Sequence, residues 1–159
     1  MKLKKVDSLL FIDVGAPEPL ILCDEHKLSL LYYYEKDAND NSVQKDLPSE
    51  RNKNDTGVAV VSFKNVFIHK FGFPNDEALN AHPYYSLGLT SYSMFELHQS
   101  DWVDRIVKLV AVNGHRSLKH YIITFKDSTF ECIAKDVAID FMPFISMQEA
   151  LIMTSRSLN

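Results

Sequence analysis

The segment HYIITFKDSTFECIA, residues 120–134, decides the fold that the sequence predicts. Apolar and polar side chains alternate on both sides of Asp127 and Ser128, a pattern typical of two antiparallel strands joined by a tight turn. The alternation places one set of side chains on a common apolar face: Tyr121, Ile123, Phe125, Phe130, Cys132 and Ala134. The opposite face carries His120, Thr124 and Glu131. The segment therefore predicts a β-hairpin with one face in a core and an imidazole and a carboxylate on the other.

More strands are predicted upstream by the same chemistry. The stretch LILCDEHKLSLLYYYE, residues 20–35, reads as a hairpin that turns at residues 25–26. Residues 57–72, GVAVVSFKNVFIHKFG, predict a second hairpin with its turn at residues 64–65. The stretch TSYSMFELH, residues 90–98, adds a single strand. Hairpins in succession favour an antiparallel sheet.

Three helices are predicted, one long and two short. Acids and bases recur at spacings of three and four over about 100–113, and Ser100 stands where it can cap the helix. The apolar side of this helix is expected to hold Trp102, Ile106, Leu109 and Val110. A Ser-x-x-Glu capping box predicts a short helix over 146–155, and the PNDEAL stretch predicts another near 75–81.

These elements describe an α+β fold, mainly an antiparallel β-sheet, in a single domain over residues 1–159. The interruption is the segment 36–56, where acids, bases and amides mix with only scattered small apolar residues. Such a segment buries too little surface to offset the entropy of ordering. We therefore expect a mobile surface loop there.

Composition excludes several classes of protein. The formal net charge of -4 argues against nucleic-acid binding, which needs a clustered excess of Lys and Arg. No apolar run approaches the length of a membrane span, and Asp7 and Asp13 interrupt the only stretch that imitates a signal peptide. Cys23 and Cys132 lie far apart in apolar segments, which favours free thiols and a reducing cytoplasm. The oligomeric state stays open.

Two motifs carry a resemblance. The pattern F-G-F-P-N-D-E-A-L-x-x-H-P at 71–83 and the pattern H-x-x-x-x-F-x-D-S-T-F-E-C at 120–132 resemble a group of small bacterial proteins without an assigned activity. The resemblance covers roughly residues 58–136, about half the chain. It implies a shared fold and carries over no activity, cofactor or site residue.

Five side chains in or near these motifs are candidates for a metal site or for acid–base chemistry: Asp76, Glu77, His82, His120 and Glu131. The spacing of the first three does not favour a metal. On a helix beginning at residue 75, His82 would point away from both acids, and no HExxH, HxH or CxxC pattern is present. The sequence therefore does not favour a metal site at these residues, and it favours a capped corner at 75–83.

Nucleophilic chemistry and cofactor binding are also weakly supported. The alternation puts Cys132 and His120 on opposite faces of their hairpin, so the thiol and the imidazole are expected to point apart. There is no G-x-S-x-G motif, and the five glycines form no phosphate-binding loop. No cofactor is predicted.

Two functional hypotheses remain. The first is a non-enzymatic cytoplasmic domain that binds another protein or a small ligand, since no catalytic constellation is complete. The alternative is a metal-dependent or carboxylate/histidine hydrolase with its site between the PNDEAL turn and the last hairpin. Convergence of Glu77, His82, His120 and Glu131 in one concave pocket would separate the two.

Overall fold

The computed structural model of the chain describes residues 1–6, 12–34, 57–110 and 118–158. It confirms a mixed α+β fold with antiparallel pairing throughout. The strands are β1 (Lys2–Lys5), β2 (Leu20–Cys23), β3 (Lys27–Tyr34), β4 (Gly57–Lys64), β5 (Ile68–Gly72), β6 (Ser93–His98), β7 (Lys119–Thr124), β8 (Thr129–Ala134) and β9 (Asp136–Met142). The helices in the described ranges are α1 (Asp101–Val110), α2 (Met147–Leu158) and two single-turn 3₁₀ helices, Leu79–Ala81 and Tyr85–Leu87.

The nine strands that the structure describes form two sheets. The five-stranded sheet has the order β1-β6-β7-β8-β5, and the four-stranded sheet has the order β2-β3-β4-β9. The hairpin that decides the fold is β7–β8, with Thr124 opposite Thr129, and the β2–β3 hairpin pairs Cys23 with Leu28. The β2–β3 hairpin is confirmed in register. The two faces of the β7–β8 hairpin are also as predicted, but its turn lies one position earlier, at residues 126–127, because the backbone N–H of Phe125 donates to the carbonyl oxygen of Ser128.

The main core lies between the two sheets. The inner face of the four-stranded sheet contributes Leu28, Leu30, Tyr32, Ala59, Val61 and Phe63. Opposite them lie the side chains predicted for the apolar face of the last hairpin. Aromatic rings join the sheets at Phe63–Phe130, with centroids 5.5 Å apart, and at Tyr32–Phe125, with centroids 5.3 Å apart. Such tilted and edge-on contacts are the favoured geometries for aromatic pairs.

Each sheet is covered on its outer face as well. Helix α2 places Met147 and Ala150 over the outer face of the four-stranded sheet. Helix α1 packs Trp102 against Ile133 of the five-stranded sheet, while Leu79, in the first 3₁₀ helix, packs beside Ile122. The polar face of the β7–β8 hairpin points toward the layer formed by α1 and the first 3₁₀ helix.

One predicted hairpin is wrong. Strands β4 and β5 do not pair; β4 pairs with β3 and β9, while β5 pairs with β8 in the other sheet. The chain changes sheets at Asn65, whose φ of 53° lies in the left-handed region that Asn tolerates better than most residues. Strand β9 was not predicted, although its large apolar residues Val137, Ile139 and Phe141 alternate with Asp136, Ala138 and Asp140.

The predicted helices need smaller corrections. Helix α1 spans Asp101–Val110, and its predicted apolar side is wrong at Leu109, which is exposed. The predicted helix near 75–81 is a turn followed by the short 3₁₀ helix Leu79–Ala81. The C-terminal helix is confirmed with its capping box, since Ser146 and Glu149 exchange hydrogen bonds between backbone and side chain.

The predicted mobile loop at 36–56 lies outside the described residues. So does the end of the predicted long helix at residues 111–113. None of the helices that the structure describes combines the length and the apolar character needed to cross a membrane.

Candidate functional site

A buried polar cluster lies between α1 and the outer face of the five-stranded sheet. His120 on β7 and Glu131 on β8 point to this face, as the alternation predicted. Ser100, directly before α1, and His82, directly after the first 3₁₀ helix, complete the cluster from above. All four residues are buried. Three of the five predicted candidates, His82, His120 and Glu131, are therefore brought together.

Ser100, His120 and Glu131 form a continuous hydrogen-bonded chain. The Oγ of Ser100 lies 2.8 Å from Nδ1 of His120, and Nε2 of His120 lies 2.9 Å from Oε2 of Glu131. Ser100 Oγ also accepts hydrogen bonds from the backbone N–H groups of Trp102 and Val103. Its own proton is therefore directed to Nδ1 of His120, which places the imidazole proton on Nε2, where it is donated to Glu131.

His82 reaches the same carboxylate from the other side. Its Nδ1 accepts a hydrogen bond from the backbone N–H of Tyr84 at 3.2 Å, so the proton of the neutral imidazole is on Nε2. That nitrogen lies 3.5 Å from Oε1 of Glu131, too far for it to form a hydrogen bond, and it has no other partner among the described residues. Glu131 therefore faces two imidazole N–H groups, one bonded and one close.

Lys70 of β5 closes the cluster on its solvent side. Its Nζ lies 3.6 Å from Oε1 of Glu131 and 4.2 Å from the ring centroid of Trp102. An ammonium over an indole face is attracted by the ring quadrupole. The Trp102 ring in turn meets the ring of His120 edge-on, with centroids 5.1 Å apart. Lys70 thus links strand β5 to the carboxylate of Glu131 on β8 and to the aromatic ring of Trp102 on α1.

The charge balance favours an ionised Glu131. Burial by itself would raise the pKa of this carboxyl, but hydrogen bonding to His120, the proximity of His82 and the positive charge of Lys70 outweigh it. The pKa of Glu131 is therefore held well below its ordinary value. A buried carboxylate with these partners is a satisfied charge, which makes the cluster a strong link between sheet and helix.

The order Ser–His–Glu resembles that of a nucleophilic relay, yet the geometry assigns Ser100 to helix capping. A nucleophilic hydroxyl needs a free lone pair and room for a substrate. Both lone pairs of Ser100 Oγ accept amide protons at the start of α1, and the residue is only 2 % exposed. The chain of hydrogen bonds therefore anchors the first turn of α1 to the sheet.

Metal binding does not fit these residues either. In both histidines Nδ1 accepts a hydrogen bond and Nε2 carries the proton. Neither ring therefore directs a free nitrogen lone pair toward Glu131, where a metal ion would have to bind. Within residues 1–6, 12–34, 57–110 and 118–158, no group of three or more His, Cys, Asp and Glu side chains is arranged to hold a metal ion.

The other two candidates lie apart from the cluster. Asp76 accepts a hydrogen bond from the hydroxyl of Tyr92 at 2.7 Å. Burial and this bond to Asp76 raise the pKa of Tyr92 to about 12. Glu77 is exposed and lines, with Asp76, an open pocket of about 430 Å³. As predicted, Asn75 caps this corner, because its Oδ1 accepts the backbone N–H of Ala78 at 3.0 Å.

Cys132 and His120 lie on opposite faces of the sheet. Cys132 is in the core between the sheets, where burial raises the pKa of its thiol. Cys23 is also a free cysteine and is exposed at the end of β2. The thiol of Cys132 and the imidazole of His120 therefore point to opposite sides of the sheet, as the alternation in the sequence predicted.

Sequence reasoning missed Lys70 and the second role of Ser100. Lys70 lies directly opposite Glu131 in the β5–β8 ladder, and that pairing could not be found while β5 was assigned to a hairpin with β4. Ser100 was expected only to cap α1. Its contact with His120 joins residues that are 20 positions apart, a distance at which no local pattern gives a signal.

A scan against protein-family models, a search of curated proteins and a search of solved structures each gave no match to this chain. The resemblance carried by the PNDEAL and DSTFEC motifs stays a prediction.

Proposed function

We propose that the chain is a non-enzymatic binding domain that acts in the cytoplasm and recognises an extended segment of another protein at strand β5. The observation that carries the proposal is the set of exposed apolar side chains on and directly after this edge strand. The cytoplasmic location is supported by the two free cysteines, Cys23 and Cys132.

Strand β5 is an outer strand of the five-stranded sheet. It pairs with β8 on one side, and among the described residues no strand pairs with its other edge. An open edge presents backbone N–H and C=O groups that can pair with a strand from another chain. Domains that bind peptides by strand addition use such an edge for affinity and the alternating side chains for specificity.

Several large apolar side chains on and beside β5 are exposed to solvent. Ile68 is 39 % exposed, Phe71 is 43 % exposed and Phe73, just beyond the strand, is 77 % exposed. Clustered exposed apolar residues mark interaction sites on soluble proteins, and aromatic residues are enriched in interface cores. An extended partner segment with alternating apolar residues is the occupant that this edge fits.

The buried cluster gives this edge a fixed geometry. Lys70 lies in the middle of β5 and is held by Glu131 and Trp102. A strand that is ordered before binding loses less conformational entropy when a partner adds to it. On this proposal the cluster supports binding indirectly, because it keeps β5 ordered in the conformation that pairs with a partner strand.

The hydrolase hypothesis is the weaker proposal. Its support is the convergence of His82, His120 and Glu131 with Ser100. It would require the cluster to open, because these side chains are buried and their hydrogen bonds are directed at one another.

Selection from a phage-displayed library of random linear peptides tests the binding proposal. We expect enriched peptides with apolar residues at alternating positions, and peptide-induced shifts in the backbone amide signals of 68–72. Replacing both Phe71 and Phe73 by alanine should weaken binding of a selected peptide at least about tenfold, as loss of an interface anchor does. The matched control is Met153→Ala, which removes an exposed apolar side chain from α2 on the other sheet. Failure to enrich any peptide, or equal binding by the double variant, would contradict the proposal.

A further inference from the structure

A second cavity lies on the outer face of the four-stranded sheet, beside the C-terminal end of α2. Its volume is about 270 Å³, below the roughly 300–1,000 Å³ of pockets that hold drug-sized ligands. The polar lining comes from two neighbouring strands: Lys27 and Ser29 on β3, and Ser62 and Lys64 on β4. Phe63 and Ser157 complete the wall. The cavity is small, and the polar side chains within it are cationic or carry hydroxyls.

The strand register concentrates positive charge there. Lys27 lies directly opposite Lys64 in the β3–β4 ladder. Like charges in directly opposite positions destabilise a pair of strands. Lys64 also has Asp136 opposite it on β9, but the ammonium of Lys64 forms no ion pair in the part of the chain that the structure describes. A bound anion would be attracted by both ammonium groups.

The hydroxyls add a donor to the same cavity. Ser29 lies directly opposite Ser62, and their Oγ atoms are 3.3 Å apart. One hydroxyl donates to the other, so the second proton of the pair stays available for another acceptor. Ser29 is only 3 % exposed, which places the hydroxyl pair at the inner wall of the cavity. Donors of this kind are directed at a ligand that offers oxygen acceptors.

Lys27 is held in position by α2. Its Nζ donates to the backbone carbonyl oxygen of Ser157 at 3.4 Å, in the last turn of the helix. A cation at this end of a helix also interacts favourably with the helix dipole. One lysine is therefore anchored, while Lys64 is exposed and can approach a ligand from the other strand.

We infer that this cavity binds a phosphate group, either as inorganic phosphate or as the end group of a small phosphomonoester. Lys27 and Lys64 supply charge-assisted hydrogen bonds, and the Ser29–Ser62 pair supplies a neutral donor. The cavity has room for a phosphate group and a small substituent. This site lies on the sheet that does not contain β5. Phosphate binding is therefore independent of peptide binding at β5, and the two can be tested separately.

Titration of isotope-labelled protein with sodium phosphate, followed by amide NMR, tests the inference. We expect saturable shifts of the amide signals of 27–29 and 62–64 that equal ionic strength of sodium chloride does not produce. Lys64→Gln should weaken binding about tenfold, the loss of one charge-assisted contact. The control Lys108→Gln, which removes a charge from α1, should leave binding unchanged. Ser29→Ala should weaken binding as well, and Lys64→Gln keeps the experiment decisive if that buried change impairs folding.

The choice of anion distinguishes the sources of phosphate. Tighter binding of phenyl phosphate than of inorganic phosphate assigns the site to a phosphomonoester, and the reverse order assigns it to the free ion. Tighter binding of acetate than of either, shifts that grow linearly without saturation, or an unchanged affinity in Lys64→Gln would overturn the inference.

Discussion

Replacing Glu131 by alanine is expected to lower the free energy of unfolding by about 3 to 5 kcal/mol, the cost of breaking a buried charge network by removing one partner. The change takes the acceptor away from His120 and leaves its Nε2 proton buried without a partner. It also removes the charge that holds Lys70 against the sheet. Chemical denaturation followed by tryptophan fluorescence measures the loss, because Trp102 lies beside the cluster.

A matched control for this change is Glu96→Ala on β6 of the same sheet. Glu96 forms an ion pair with Lys119 at the surface, at 3.4 Å, and its carboxylate lies 3.7 Å from Nε2 of His98. Exposed pairs of this kind contribute about 0 to 1 kcal/mol. A loss at Glu131 no larger than the loss at Glu96 would show that the cluster is not a structural anchor.

Acid is expected to weaken the protein through the same carboxylate. The pKa of Glu131 is lowered in the folded state, because hydrogen bonding to His120, with help from His82 and Lys70, outweighs burial. A group with a depressed folded pKa stabilises the fold fully above its unfolded pKa, which is near 4.3. That contribution is lost as the pH falls below about 5 toward the lower folded value.

The variant Glu131→Gln isolates this effect, since it removes the titration and keeps the shape of the side chain. Between pH 7 and pH 3, the wild type should lose on the order of 2 kcal/mol more unfolding free energy than the variant. Denaturation curves at a series of pH values give the difference directly. Parallel loss in the two proteins would mean that Glu131 is not held ionised by its neighbours.

Much of the fold could be predicted from local alternation. The β7–β8 and β2–β3 hairpins have close turns, so their pairing follows from the sequence on either side of the turn. The step from β4 to β5 looked the same in the sequence, yet Asn65 directs the chain into the other sheet. Whether a strand stays in its sheet or crosses depends on tertiary packing, which a local pattern does not contain.

Prediction of the site was limited by the same dependence on distant partners. A helical wheel relates His82 only to Asp76 and Glu77, the acidic residues nearest to it in sequence. In the structure His82 follows a 3₁₀ helix in extended backbone, with ψ of 133°, and its nearest carboxylate belongs to Glu131, on β8. The proximity of His120 to Glu131 could be predicted because both residues lie on one hairpin. The approach of His82 could not, because it depends on how the outer layer packs on the sheet.

The hydrogen-bonded chain Ser100–His120–Glu131 joins α1 to the sheet, and we expect no reaction at the hydroxyl of Ser100. Incubation of the native protein with an excess of a fluorophosphonate, which phosphonylates activated serine hydroxyls, tests it most directly. We predict an unmodified protein by intact-mass spectrometry under conditions that fully label a serine hydrolase control. Stoichiometric modification at Ser100 would contradict this expectation, because it would show that the cluster activates the serine hydroxyl.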